Sequence, residues 1–407
     1  MKNVQTIFHL EMLSRLAIDG FHRMLKLGCY IKFIPYNWND KKKKLSPSSR
    51  AGVRIFNFHK NVMYFLTVFA ALRLYQAWER GVFPLQQKLL TSAWFHAYLL
   101  TSIGFIQFRS YKHEIMNFGN LVLGRLQNTS TNNPVKIPKH LKSMRRDKKR
   151  LSWHMYIGIL LLVTNPGVHT LITSASPCAP HFISSCFFKC RTVEENAASL
   201  VEKAPFLVFE FYSISLFLYM GWFNWSCIIL GLAMVTSELR AMRANEEALL
   251  DDKSATSNFR KLHIIVLTLN ATFRPFLLCF STILYSLVAQ LIFGSIRLLP
   301  IHPRSNLMFP LCALRCGFEA TTPLAMAGDV SQESENMLEK WREKMDSVIQ
   351  KNSGKGKKGL RMVQKSCKRI LCSAGSLYTF EHSIVLCSIN NCIQLTLNLL
   401  VTFGKHV

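Results

Sequence analysis

The sequence predicts an all-α, polytopic membrane protein with seven transmembrane helices, its N-terminus cytosolic and its C-terminus extracellular. Three observations predict it. Hydrophobic residues make up 49% of 407 residues and cluster in blocks close to bilayer thickness, ~20 residues each. The segments between alternate blocks are dense in Lys and Arg. The blocks also lack the short, strictly periodic apolar runs that a soluble core would show. The formal charge of +27 has two readings, nucleic acid and membrane. A nucleic-acid binder would carry its charge on a polar domain, whereas here the basic residues flank apolar blocks. No nucleic-acid partner is expected, and the lipid bilayer is.

The opening stretch, MKNVQTIFHLEMLSRLAIDGFHRMLKLG, is interrupted by His9, Glu11, Arg15, Asp19 and His22. It has no apolar h-region and no small-residue cleavage site, so it is not a signal peptide. It reads as an amphipathic helix on the cytosolic surface, and the first span acts as the insertion signal.

Seven blocks follow, at about 61–78, 90–108, 153–175, 204–236, 275–296, 307–328 and 374–403. The third contains Pro166, a kink that neighbouring helices can accommodate. The fourth is too long for one upright span and too short for two with a turn, so it is read as one tilted helix. The sixth is the most polar, with Arg315 and Glu319 spaced to pair with each other. Arg73, in the first block, is expected to snorkel. Apolar periodicity continues between blocks, in FRKLHIIVLTLNATF and ENMLEKWREKMDSVI, so helices extend below the membrane and pack there. NSGKGKKG (352–359) lacks the spacing of a phosphate-binding loop and reads as a flexible loop.

The charge asymmetry sets the orientation. Forty of the 50 Lys and Arg fall in the N-terminal segment, 109–152, 237–274 and 329–373, against eight in the alternate set. The first set is therefore cytosolic. With seven spans the C-terminus is external, the reverse of a G-protein-coupled receptor. Cys178, Cys186 and Cys190 fall in the external loop 176–203, where one disulfide and one free thiol are expected and the pairing is open. With His181 these cysteines match no usual zinc spacing, so no metal and no cofactor is expected.

The last block carries the functional signal. Asn390, Gln394, Asn398 and Thr402 recur every four residues on one face, with Asn391 beside them and Cys392, Leu395 and Leu399 assigned to the opposite side. Polar groups aligned along a span must face protein or water. One reading is hydrogen-bond glue between helices. The other is a water-filled pore lined by copies of this helix, with Leu397 and Val401 as a hydrophobic constriction.

The distal third, about 237–403, resembles the insect chemoreceptor superfamily of gustatory and odorant receptors. The resemblance is one of order: a cytosolic helical segment (FRKLHIIVLTLNATFRPFLL), a short external loop, a sixth span ending in AMAGDVSQESENMLEKW, and a last span beginning GSLYTFEHSIVLCSI. Gustatory receptors carry a T-Y-five-apolar-Q-F motif in that last helix. Here Gln394 matches its glutamine, Leu395 stands for its phenylalanine and Cys387-Ser388 for its Thr-Tyr, while Asn390 and Asn391 break the apolar run. The pattern is that of a divergent arthropod member. The resemblance implies a ligand-gated, non-selective cation channel in the plasma membrane, a homo- or hetero-tetramer whose seventh helices line a central pore. It implies a small organic ligand, a tastant or odorant, bound in the external half of each helix bundle.

On that expectation the outer halves of spans two to five offer Trp94 and Tyr98, then Asn165 and His169, then Phe209, Glu210 and Tyr212, then Gln290 and Phe293. Aromatic walls with few polar groups suit such a ligand, although packing or lipid contact is the ordinary role of each aromatic. Glu210 stands apart, because an acid inside a span needs a partner or a role. No catalytic constellation occurs: no HExxH, no nucleophile elbow and no carboxylate pair on one element. A G-protein-coupled receptor and a transporter-like membrane protein are the alternatives. The expected organisation is 1–60 cytosolic segment, 61–236 spans one to four with the ligand side, 237–274 cytosolic anchor, 275–328 spans five and six, 329–373 cytosolic anchor and 374–407 pore-lining helix.

Overall fold

A computed structural model describes residues 19–79, 83–131, 142–188, 199–244, 252–301, 303–351, 366–375 and 377–403. The first eighteen residues, Cys190 and the 352–359 loop lie outside them. The described chain is a bundle of long helices. A first helix, α1, covers 19–30. It is followed by a hairpin of β1 (Tyr36–Asn39) and β2 (Lys44–Pro47). Then come α2 (Arg50–Glu79), α3 (Leu85–Ser110), α4 (Lys112–Thr131), α5 (Lys142–Ala175) and α6 (Leu200–Ala244). The order continues with α7 (Asp252–Thr272), α8 (Arg274–Leu298), α9 (Met308–Lys351), a hairpin of β3 (Cys372–Ala374) and β4 (Tyr378–Phe380), and α10 (His382–Thr402).

Five helical stretches are long and apolar enough to cross a membrane: Leu85–Ser110, Leu151–Ala175, Leu200–Ala244, Arg274–Leu298 and His382–Thr402. The chain is a multi-pass membrane protein. Blocks one and six lie in α2 and α9, of 30 and 44 residues. Their outward faces are apolar, with Phe65, Val68 and Leu72 exposed on α2 and Leu311 and Leu314 on α9.

α6 is the hub. The fourth block is one uninterrupted helix of 45 residues. It packs against α5 and α9, with further contacts to α3 and α7. From Ser213 to Leu239 it is mostly buried and apolar on all sides because neighbours surround it there, the signature of a buried helix. A polar bridge holds it to its neighbours. Gln107 of α3 donates to Asn224 Oδ1 at 2.9 Å. Its own carbonyl accepts the Phe276 N–H at 3.2 Å, in the first turn of α8, where amides have no intrahelical acceptor.

Three features depart from the sequence reading. The helix 19–30 does not lie apart on a surface. Phe21, Leu25 and Cys29 are buried, Phe21 meets Trp222 of α6 ring to ring, and Tyr219 donates to the Met24 carbonyl at 3.1 Å. The final helix begins at His382 rather than Ala374, because Cys372–Phe380 forms an antiparallel hairpin. Gly375 turns it at φ +63°, where Arg274 packs so closely that a Cβ would clash. Arg73 does not snorkel; its role is described below. The expected Arg315–Glu319 pair is present at 3.0 Å.

The periodic segments between blocks pack into the core, with Phe259, Leu262, Val266 and Leu269 of α7 and Met337, Leu338 and Trp341 of α9 buried. Asn270 clamps β3, donating to the Leu371 carbonyl and accepting from the Ser373 amide, both at 3.1 Å. Ion pairs complete it: Glu333 with Arg240 and Arg243, Arg369 with Glu335 and Glu381, and His382 with Asp329. The last helix therefore starts from a rigid foot.

Candidate functional site

The chain places candidate residues in two regions, an aromatic cluster at one end of the bundle and the free face of α10.

Trp94 and Tyr98 sit one turn apart on α3, so their rings share a face at 5.8 Å. His169 comes from α5 and Glu210 from α6. The His169 Nε2 lies 3.2 Å from a Glu210 carboxylate oxygen, with the residues 6% and 2% exposed. Trp94 closes over His169 edge-on at 4.6 Å. The structure thus brings four of the nine pocket candidates together.

The segment after α5 roofs them. A 3₁₀ turn, Ile183–Cys186, and a Ser184 hydroxyl that donates to Pro177 O at 2.6 Å shape it. It lowers His181 and Phe182 onto the cluster: His181 stacks parallel to Trp94 at 6.3 Å, and Phe182 meets His169 at 5.2 Å. Arg73 of α2 staples this roof, donating to Pro180 O at 2.9 Å and Ser185 Oγ at 3.1 Å. His181 is fully enclosed; burial pushes its pKa down to about 3, with His169 and Arg73 nearby acting the same way. Its Nδ1 has no hydrogen-bond partner. Cys178 is disulfide-bonded, and Cys186 is a free, exposed thiol.

The other candidates go elsewhere. Tyr212 lies two residues from Glu210 and so on another face of α6; its hydroxyl meets His59 Nδ1 of α2, and Phe33 packs on both rings. Phe209 packs beside Tyr212 at 6.5 Å. Gln290 accepts from Ser92 at 2.8 Å, joining α8 to α3. Phe293 is buried against Phe403 at the end of α10. Asn165 is half-buried one turn before His169. Sequence reasoning missed His181, Phe182 and Phe217, the last lying 6.3 Å from Trp94. The adjacent aromatic rings of His181 and Phe182, in a loop that also carries Ile183, Phe187 and Phe188, are the available signal.

On α10, Asn390, Asn391, Gln394, Asn398, Val401 and Thr402 are all exposed. Cys392 and Thr396 are the buried residues of this helix and face α8. The polar stripe therefore points directly away from its own bundle. Leu395, assigned to the packed side, lies on the flank at 37% exposure, because 100° per residue carries it past the contact with α8. Two small apolar cavities of about 10 Å³, each room for about one water, lie elsewhere: one is lined by Leu269, Leu277 and Phe380, the other by Phe21 and Phe118.

No protein-family model and no curated protein matches the sequence. Solved structures do match. The insect olfactory receptor OR5 from Machilis hrabei aligns over 94% of this chain and 99% of its own, at TM-score 0.62 and 9% identity. The same receptor in complex with eugenol aligns over 97% and 99%, at TM-score 0.65 and 10% identity. Both neighbours are olfactory receptors. A likeness that spans nearly the whole of both chains leaves little of either outside the shared architecture: this chain has the fold of the insect olfactory receptors.

Proposed function

We propose that the chain is a chemosensory receptor that works as a ligand-gated, non-selective cation channel of the plasma membrane. Seven helices, α2, α3, α5, α6, α8, α9 and α10, cross the bilayer, with the N-terminus cytosolic and the C-terminus outside. Four copies, identical or mixed, surround a pore lined by Asn390, Asn391, Gln394, Asn398, Val401 and Thr402. A small organic ligand, a tastant or odorant, binds in the outer half of each bundle around Trp94, Tyr98, His169 and Glu210. Of the remaining candidates, Asn165 lies one turn before His169 on α5, while Phe209, Tyr212, Gln290 and Phe293 pack elsewhere in the bundle.

The observation that carries this reading is the exposed polar stripe of α10. Lipid disfavours a row of carboxamides, and no neighbour in its own bundle covers them. Other copies of the chain around a water-filled axis satisfy them, and four amide-bearing helices give a wet, uncharged conduit. Fold likeness to an olfactory receptor solved with eugenol supports the ligand side.

Patch-clamp of expressing cells tests it. Gln394→Ala and Asn398→Leu should change unitary conductance or permeability ratios while surface expression persists. Unchanged permeation in both would favour the hydrogen-bond-glue reading. The sequon Asn128-Thr129-Ser130 tests the topology: it should stay unglycosylated in microsomes, because α4 lies on the cytosolic side. A glycan there would overturn the orientation and reopen the G-protein-coupled alternative.

A further inference from the structure

We infer that the outer cluster selects a protonated amine: Glu210 receives the ammonium, and Trp94, Tyr98, Phe182 and Phe217 enclose the organic part. The inference rests on the reading of this cluster as the ligand site.

Glu210 is 2% exposed yet sparingly satisfied. Among the described residues, one oxygen has His169 Nε2 at 3.2 Å, and the other has only the Ile183 amide at 3.5 Å. A carboxylate accepts about four hydrogen bonds. The Nδ1 of His181, whose ring stacks on Trp94, is buried without a partner, and burial keeps the ring neutral and able to accept. An –NH3⁺ group brings three donors and no acceptor, which suits a sparingly satisfied buried carboxyl group and an unpartnered imidazole nitrogen. A neutral alcohol brings one donor. A carboxylate ligand would meet Glu210 as a like charge.

The surrounding rings suit the same guest. Trp94 holds contacts with Tyr98, His169, His181 and Phe217 within 6.5 Å, and the face of an indole attracts cations more strongly than other rings. The opposing charge is Arg73, and it is already engaged: its Nε, Nη1 and Nη2 go to Pro180 O, Gln76 Oε1 and Ser185 Oγ. It fastens the roof rather than filling the site. Because the rings are already in contact, the guest enters as the 176–188 roof lifts.

Binding is measured as ligand-induced thermal stabilisation of the full-length purified chain, so the result does not depend on channel activity. The probes are 2-phenylethylamine, tryptamine and trimethylamine, with 2-phenylethanol and phenylacetate as shape-matched neutral and anionic partners, each up to about 1 mM. Amine binding should exceed alcohol binding by about tenfold or more, and phenylacetate should not bind. Glu210→Gln should weaken the amine about tenfold and leave the alcohol unchanged. Trp94→Phe should fall between wild type and Trp94→Leu. Equal affinity for amine and alcohol overturns the inference, as does an unaltered Glu210→Gln, or no stabilisation by any of the amines. If Glu210→Gln does not fold, the amine–alcohol comparison on wild type and the Trp94 pair decide. A chain that binds amines without passing current sinks the channel reading alone. Currents evoked by neutral odorants, with amines ignored, sink this inference alone.

Discussion

His169 and Glu210 come from adjacent helices, α5 and α6, and meet at 3.2 Å in a place where neither touches solvent. A buried pair of this kind costs more when halved than when removed, because the survivor keeps its desolvation without its partner. Glu210→Leu should therefore lower stability by about 3 kcal/mol. The double replacement with His169→Leu should recover much of that loss. A double-mutant cycle on thermal midpoints in detergent checks it, and simple additivity would show that the pair is not coupled.

The roof should loosen in acid. His181 titrates near pH 3 when enclosed, against an ordinary 6.5. The open roof therefore binds the proton more readily than the closed one. The contribution is complete above about pH 6.5 and lost as pH falls toward 3, at up to ~1.4 kcal/mol per pH unit. Hydrogen exchange of the 179–185 amides should rise across that window, and His181→Phe should flatten the dependence.

Cysteine accessibility should map the two sides of α10. Replacing Gln394 or Asn398 by cysteine should give channels blocked by a small hydrophilic thiol reagent. Cys392, 7% exposed and turned toward α8, should remain unmodified. Rapid labelling of Cys392, or silent 394 and 398 positions, would reverse the assignment of faces.

The Gln107 bridge should be structural. Gln107→Leu leaves the Asn224 carbonyl and the Phe276 amide unpaired in the core, a loss of roughly 1–3 kcal/mol for each buried polar group stranded. The thermal midpoint should fall without any change in ligand selectivity. A melting temperature equal to wild type would show that water or Asn224 compensates.

Much of this architecture can be read from residue order. Apolar runs of bilayer length are a one-dimensional signal, and five of them lie in helices at least that long. The i, i+4 stripe on α10 was legible for the same reason, since helical phase follows from position alone. What failed were judgements that needed a third dimension. Glu210 and Tyr212 are two residues apart and were assigned to one pocket, but ~200° of helical rotation sends one toward His169 and the other toward His59. The Cys372–Phe380 hairpin was hidden inside an apolar block, because Tyr378, Thr379 and Phe380 extend a hydrophobic run without extending a helix. The burial of 19–30 depends on Tyr219 and Trp222, about two hundred residues downstream. Arg73 was expected to reach for water, and the acceptors it found belong to a loop a hundred residues away.

The last helix touches its own bundle along a narrow strip centred on Cys392 and Thr396. A solitary copy of the chain would set five amide and hydroxyl side chains against acyl tails, in a medium that offers them no donors or acceptors. Such a copy is a poor resident of any membrane. On the proposed reading, meeting its companions is then a condition of persistence as well as of activity.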